Sequence, residues 1–198
     1  MPNSPTSTPP PPLPAPLPMR IGHGWDLHRL EPRPPVGKGR AMIVGGVKLP
    51  EPTPGGGGGW GVGERGGAPV GPVGHSDGDV LYHAVTDALL GAIAQQDIGQ
   101  LFPDTDAKHE GQDSAVFLEE AVRRVHAAGY VVGNLDTTVV LERPKIGPHK
   151  EKIRANLARL LCVPPDRVNV KGKTHEKVDS VGEGRAIEAH ASVLLVMA

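Results

Sequence analysis

Gly (27) and Pro (22) together make up about a quarter of the 198 residues, and where they fall decides what the chain can fold into. Spread evenly, that fraction would signal a disordered polymer. It is instead concentrated. Residues 1–18 hold nine prolines and no charged side chain, and residues 55–74 hold eleven glycines. About 160 residues of ordinary globular composition remain, enough to bury one core. The expectation is a single domain over residues 19–198, with a disordered Pro-rich arm at 1–18 and a flexible Gly-rich insert at 51–73. With two Phe, two Tyr and two Trp, the core filling must be aliphatic.

Composition removes several classes of function. The net charge of −1 leaves no basic field for nucleic acid or an anionic membrane. No run of 18 apolar residues offers a membrane span. Cys162 is the single cysteine, so no internal disulfide forms, which suits a reducing compartment. Residues 1–18 lack both the apolar segment of a secretory signal and the Arg content of a transit peptide, so the expected location is cytoplasmic.

Hydrophobic period divides the rest. Residues 20–26 read as a strand running into a turn, and 41–49 as a strand bent at its glycines. A helix is expected at 77–94, with Val80, Ala84, Leu89, Leu90 and Ile93 inward. A second spans 114–128, where Phe117, Leu118, Ala121, Val122 and Val125 form one stripe and Gly129 ends it. Residues 130–141 form a β-branched strand, and 149–161 a third helix. Strands follow near 168–173 and 186–197, the last placing Ile187, Ala189, Ala191, Val193, Leu195 and Met197 on one face. This order predicts an α+β fold: one mixed β-sheet covered by helices on one side.

Four clusters carry chemistry. In Gly-His-Gly-Trp-Asp-Leu-His, Asp26 and His28 project to the same side of an extended chain, and His83 on the first helix offers a third donor. Two imidazoles and a carboxylate suit Zn²⁺ with its fourth position open; alone, an Asp-x-His is an ordinary strand end. His75-Ser76-Asp77-Gly78-Asp79 precedes that helix. Ser76 and Asp79 read as a capping box, and the helix start as an anion site. His83 and Asp87, one turn apart, place Asp87 beside the His83 ring; the plainer reading is a surface pair. Residues 97–106 form an acidic loop, and Lys171-Gly172-Lys173-Thr174-His175-Glu176 closes a strand with groups suited to a diphosphate and a divalent ion.

Taken in order, Gly-His-Gly-x-Asp-x-His, His-Ser-Asp-Gly-Asp, His-Ala-x-Thr-Asp-Ala-Leu-Leu-Gly, Asp-Ile-Gly, Phe-Pro-Asp-Thr-Asp, Pro-Lys-Ile-Gly-Pro-His and Val-Lys-Gly-Lys-Thr-x-Glu closely resemble the 2-C-methyl-D-erythritol 2,4-cyclodiphosphate synthase family. The resemblance runs from Arg20 to the C-terminus apart from the insert. It implies a homotrimer with sheets facing the axis and sites between subunits. It assigns Asp26, His28 and His83 to zinc and Glu176 to a second divalent ion, Mg²⁺ or Mn²⁺. His75 and Ser76 match its phosphate contacts, and Asp97, Gly99, Phe102 and Asp104 the loop that receives the methylerythritol hydroxyls. Pro144, Lys145, Ile146 and Gly147 match the cytidine pocket, with Gly172, Lys173 and Thr174 at its ribose and phosphate edge. Glu183 departs from the pattern, standing where many bacterial relatives carry Arg.

Overall fold

The computed structural model describes residues 16–50, 69–103, 108 and 110–198. Most of the arm, most of the insert and Asp104 lie outside the described residues.

Twelve elements follow in chain order: β1 (Met19–Pro32), β2 (Ile43–Val44), β3 (Val47–Lys48), β4 (Val70–Pro72), α1 (Val80–Ala92), α2 (Ile98–Leu101), α3 (Ala115–Ala127), β5 (Tyr130–Val140), α4 (Lys150–Leu160), β6 (Val168–Lys173), α5 (Asp179–Gly182) and β7 (Ala186–Met197). Five strands form one mixed sheet in the order β4-β1-β7-β5-β6. β7 pairs antiparallel with β1 and β5, while β5 and β6 run parallel. α1 packs on β1 and β7, α3 on β5 and α4 on β6. This is the α+β arrangement that the period predicts.

β1 is longer than the seven residues expected. Where a turn is expected after Asp26 the strand continues, pairing with β7 as far as Arg29 and with β4 from Leu30 to Pro32. Its glycines serve a close approach. A Cβ on Gly22 would collide with the Ala88 carbonyl of α1, and one on Gly24 with that of Ala84. The helix axis therefore lies directly on the strand, closer than any side chain would permit.

Two further boundaries differ from expectation. The segment 41–49 is a hairpin rather than one bent strand. Gly45 and Gly46 both have positive φ, as a two-residue turn requires, and Val44 pairs with Val47. Within the expected insert, residues 70–72 form β4, because the end of β1 offers them a partner.

The turn between β2 and β3 is tied to α1 by Asp79. This fully buried carboxylate accepts from Gly45 N (3.0 Å) and Gly46 N (2.7 Å), and from Leu81 N and Tyr82 N (both 3.1 Å). Asp79, not Ser76, is thus the helix cap, and α1 begins at Val80 rather than 77. Burial raises the Asp79 pKa to about 6, against the pull of those N–H groups. Because the cap already engages Leu81 and Tyr82, these two donors are not open to an anion, contrary to expectation.

Candidate active site

Asp26 and His28 stand on the face of β1 that meets α1, and His83 comes down from the first turn of that helix. Asp26 Oδ2, His28 Nε2 and His83 Nδ1 lie 3.1 Å from one another, pairwise. Two zinc ligands at about 2.0 Å in a tetrahedron sit roughly 3.3 Å apart, so one cation fits this triangle closely. Among the described residues, this is the group of His, Cys, Asp and Glu side chains able to hold a metal ion. Burial works to raise the Asp26 pKa, but hydrogen bonds and charge from His28 and His83 outweigh it and hold the carboxyl well below the usual carboxylate range. Asp26 is therefore an anion at any physiological pH, as a cation ligand must be.

The far side of the His83 ring is also occupied. Its Nε2 lies 2.9 Å from Ser114 Oγ and 3.1 Å from Ser76 Oγ. Ser114 Oγ in turn donates to Asp77 Oδ1 at 2.5 Å. Both serines are buried. The segment before α3 is held against the His75–Asp79 loop by Asp77 N donating to Gln112 O and Gly111 N to His75 O. Asp87, expected at the His83 ring, points elsewhere: its Oδ1 accepts from Ile98 N at 2.8 Å and fixes the start of α2. One turn of helix brings Asp87 near His83 in height, but the ring nitrogens are already claimed.

Beyond α2, the Phe102 ring packs on Phe117 of α3 at 4.6 Å between centroids, and Phe117 lies 6.1 Å from the His83 ring. The loop carrying Asp97, Gly99 and Phe102 is so drawn alongside the triangle. Asp97 spends one oxygen on Gln100 N, capping α2.

A second feature sits at the ends of β5 and β6. A cavity of about 500 Å³ is lined by Lys145, Ile146 and Gly147, by Lys150 of α4, and by Gly172, Lys173, Thr174 and Glu176. All lining residues but Lys150 and Leu141 were singled out in the sequence; Pro144 does not line it. Thr174 Oγ1 donates to Glu176 Oε1 at 2.9 Å, and Glu176 adopts positive φ. Three lysines, backbone at Gly147 and Gly172, and an apolar floor from Ile146 and Leu141 suit a phosphorylated ligand with a planar end.

The register relates the two features. Asp26 pairs with Ala189, Ala189 with Val139, and Val139 with Gly172, so both lie on one row of the sheet. Three strand spacings separate them, roughly 14 Å.

Ser114, which meets the His83 ring, and Asp77, which meets Ser114, are side chains beside the triangle to which sequence reasoning gave no role. Ser114 opens a predicted helix, where a serine ordinarily reads as a cap, and it lies 38 residues from Ser76. Its side chain makes no cap bond.

Comparison with known proteins agrees with this layout. The model of the YgbB family matches residues 63–196. The chain is 52% identical over 178 residues to the chloroplastic 2-C-methyl-D-erythritol 2,4-cyclodiphosphate synthase of Arabidopsis thaliana, covering 90% of this chain and 67% of that one. It is 49% identical over 178 residues to the synthase of the same name from Paraburkholderia xenovorans strain LB400, covering 90% and 98%. A solved structure of IspF from Plasmodium falciparum in complex with CDP superposes with a TM-score of 0.70 at 34% identity, covering 90% and 96%. The chain belongs to the YgbB family, that of the 2-C-methyl-D-erythritol 2,4-cyclodiphosphate synthases.

Proposed function

We infer that the protein converts 4-diphosphocytidyl-2-C-methyl-D-erythritol 2-phosphate to 2-C-methyl-D-erythritol 2,4-cyclodiphosphate and CMP, a cyclising phosphorus–oxygen lyase of the non-mevalonate isoprenoid pathway. The observation that carries this is the pair of half-sites: a cation triangle beside a hydroxyl-receiving loop, and a lysine-lined pocket of nucleotide size on the same sheet row.

In the reaction a 2-phosphate oxygen attacks the β-phosphorus, forming one P–O bond as the bond to the CMP oxygen breaks. The attacking oxygen is already anionic, so no general base is required, and the chain's task is to align two repelling phosphates. Lys145, Ile146 and Gly147 seat the cytidine; Gly172, Lys173 and Thr174 hold its ribose and phosphates. Pro144 shapes the entry to that loop. Asp97, Gly99, Phe102 and Asp104 receive the methylerythritol. His75 and Ser76 grip a phosphate; with the Ser76 hydroxyl turned inward to His83, Ser76 contributes through its main chain. Asp26, His28 and His83 would hold Zn²⁺, and Glu176 a Mg²⁺ or Mn²⁺; bound there, these cations would supply Lewis acidity and neutralise the charge that builds on phosphate oxygens.

We propose further that three copies form a ring with their sheets toward the axis, each site being completed by a neighbour. The support is the uncovered sheet face. Met19, Ile21, Trp25 and Leu27 alternate along β1 and are 56%, 79%, 51% and 38% exposed, an apolar stripe uncommon on a monomer. Among the described residues no helix is long and apolar enough to cross a membrane. The single cysteine suits the cytoplasm, although the plant relative is named as chloroplastic.

Incubation of the zinc-loaded protein with substrate and Mg²⁺ tests the reaction. CMP should appear in step with the cyclic diphosphate and without inorganic phosphate. Release of free phosphate, or of a linear diphosphate, would make the protein a hydrolase instead.

A further inference from the structure

The His83 ring proton has acceptors on both sides of the ring. On one side Asp26 Oδ2 lies 3.1 Å from Nδ1; on the other Ser114 Oγ lies 2.9 Å from Nε2. If the proton sat on Nδ1, that nitrogen would have no lone pair for a cation. Some feature must draw the proton to Nε2, and Asp26 alone would do the opposite.

The donor–acceptor arithmetic around Ser114 supplies it. A serine hydroxyl has one hydrogen to give. Ser114 Oγ is 2.5 Å from Asp77 Oδ1, within the range of a charge-assisted O–H···O⁻ bond, and a carboxylate oxygen can only accept. Asp77 Oδ1 also accepts Asp79 N at 3.1 Å, so the carboxylate itself is fixed. The Ser114 hydrogen is thereby committed, and Ser114 can meet His83 only as an acceptor. Ser76 Oγ accepts Gly78 N at 3.3 Å and lies 3.2 Å from Ser114 Oγ and 3.1 Å from His83 Nε2, so it meets the same ring nitrogen. The Ser114–Asp77 bond thus fixes the direction of the Ser114–His83 contact. Ser114 is fully buried, so no water substitutes for either partner.

We propose that Ser114, with its hydroxyl held by Asp77, is a positioning residue that keeps the His83 proton on Nε2 and presents Nδ1 to the cation. The proposal rests on the reading of Asp26, His28 and His83 as a metal centre. It concerns residues 77 and 114, which join the loop before α1 to the start of α3 on the Nε2 side of the ring, away from the triangle. A purely structural role, the pinning of α3 to that loop, would lower the melting temperature and leave the ring nitrogens and the metal affinity alone.

The experiment measures zinc affinity by chelator competition, together with the imidazole ¹⁵N spectrum of zinc-loaded protein carrying labelled histidine. Wild-type protein is expected to show His83 with a slowly exchanging Nε2–H and a metal-bound Nδ1. Ser114→Ala should bind zinc about tenfold more weakly or worse, the usual consequence of losing the group that orients a metal-bound imidazole. Its Nε2–H signal should exchange rapidly or vanish. Asp77→Ala keeps the serine but frees its hydroxyl to rotate and donate, and should weaken zinc severalfold; it decides the matter if Ser114→Ala does not fold. A folded variant with zinc affinity within twofold of wild type and an unchanged His83 Nε2–H overturns the proposal, as does a wild-type spectrum with the proton on Nδ1. His83→Ala separates the two readings. If it still binds zinc as tightly as wild type, the metal centre itself is misplaced; if it loses zinc while Ser114→Ala keeps it, only the role of Ser114 fails.

Discussion

Asp79 shows how much one carboxylate can decide. Four N–H groups from two elements converge on it, and it has no exposure to water. Asp79→Asn would turn an amide N–H₂ toward one of those donors, and we expect it to cost about 2 kcal/mol or more. Its pH dependence is distinctive. The folded chain holds the Asp79 proton more tightly than the unfolded chain does, with a pKa raised from 3.8 to about 6. Its contribution is thus fully present below pH 4 and falls away as pH rises through 6. The gap in urea midpoint between wild type and Asp79→Asn, both stripped of metal, should narrow between pH 4 and 6 and stay flat above; a widening gap would reverse the sign of this account. At this scale the sequence was only partly legible. Period two places Asp26 and His28 on one side of a strand. No spacing announces that Ser114 faces His83, because 31 residues of chain intervene. Asp87 misleads for a different reason: helical spacing constrains height along the axis, not which group has already taken the ring nitrogens.

Among the elements, legibility followed the contrast between a helix's two faces. The stripe expected on α3 is the set found buried there, Phe117, Leu118, Ala121, Val122 and Val125, because the opposite face is charged and solvated. α1 carries no such contrast. It lies between the sheet and α3 and buries ten of its thirteen residues, so a list of five inward positions understates it. β4 is three residues inside a Gly-rich stretch, too short for any period to show. The glycines of β1 serve a tertiary purpose that no period reveals. They let α1 sit on the strand, which brings His83 to Asp26 and His28. Gly24→Val therefore should do more than overpack: we expect about 3 kcal/mol or more of destabilisation, with soluble yield and thermal unfolding as the readout. A variant as stable as wild type, with zinc bound, would show that the close approach is not needed.

At the level of the whole molecule, the triangle and the lysine-lined cavity share a sheet row about three strand spacings apart. If neighbouring copies complete each site, two defects on different half-sites should complement. His83→Ala and Lys173→Ala are each expected to lose activity, the first by about 10³-fold given several kcal/mol of charge stabilisation forfeited. Co-expressed in one assembly, they should recover a measurable fraction, because some interfaces then pair an intact triangle with an intact pocket. Activity no higher than that of the parents would place each site within a single chain.

The convergence of one carboxylate and two imidazoles on a single cation is tested most directly by diffraction. An anomalous difference map collected at the zinc edge should show one peak per chain, about 2.0 Å from Asp26 Oδ2, His28 Nε2 and His83 Nδ1. A protein that is active with no peak there, or a peak held by other side chains, would contradict the account.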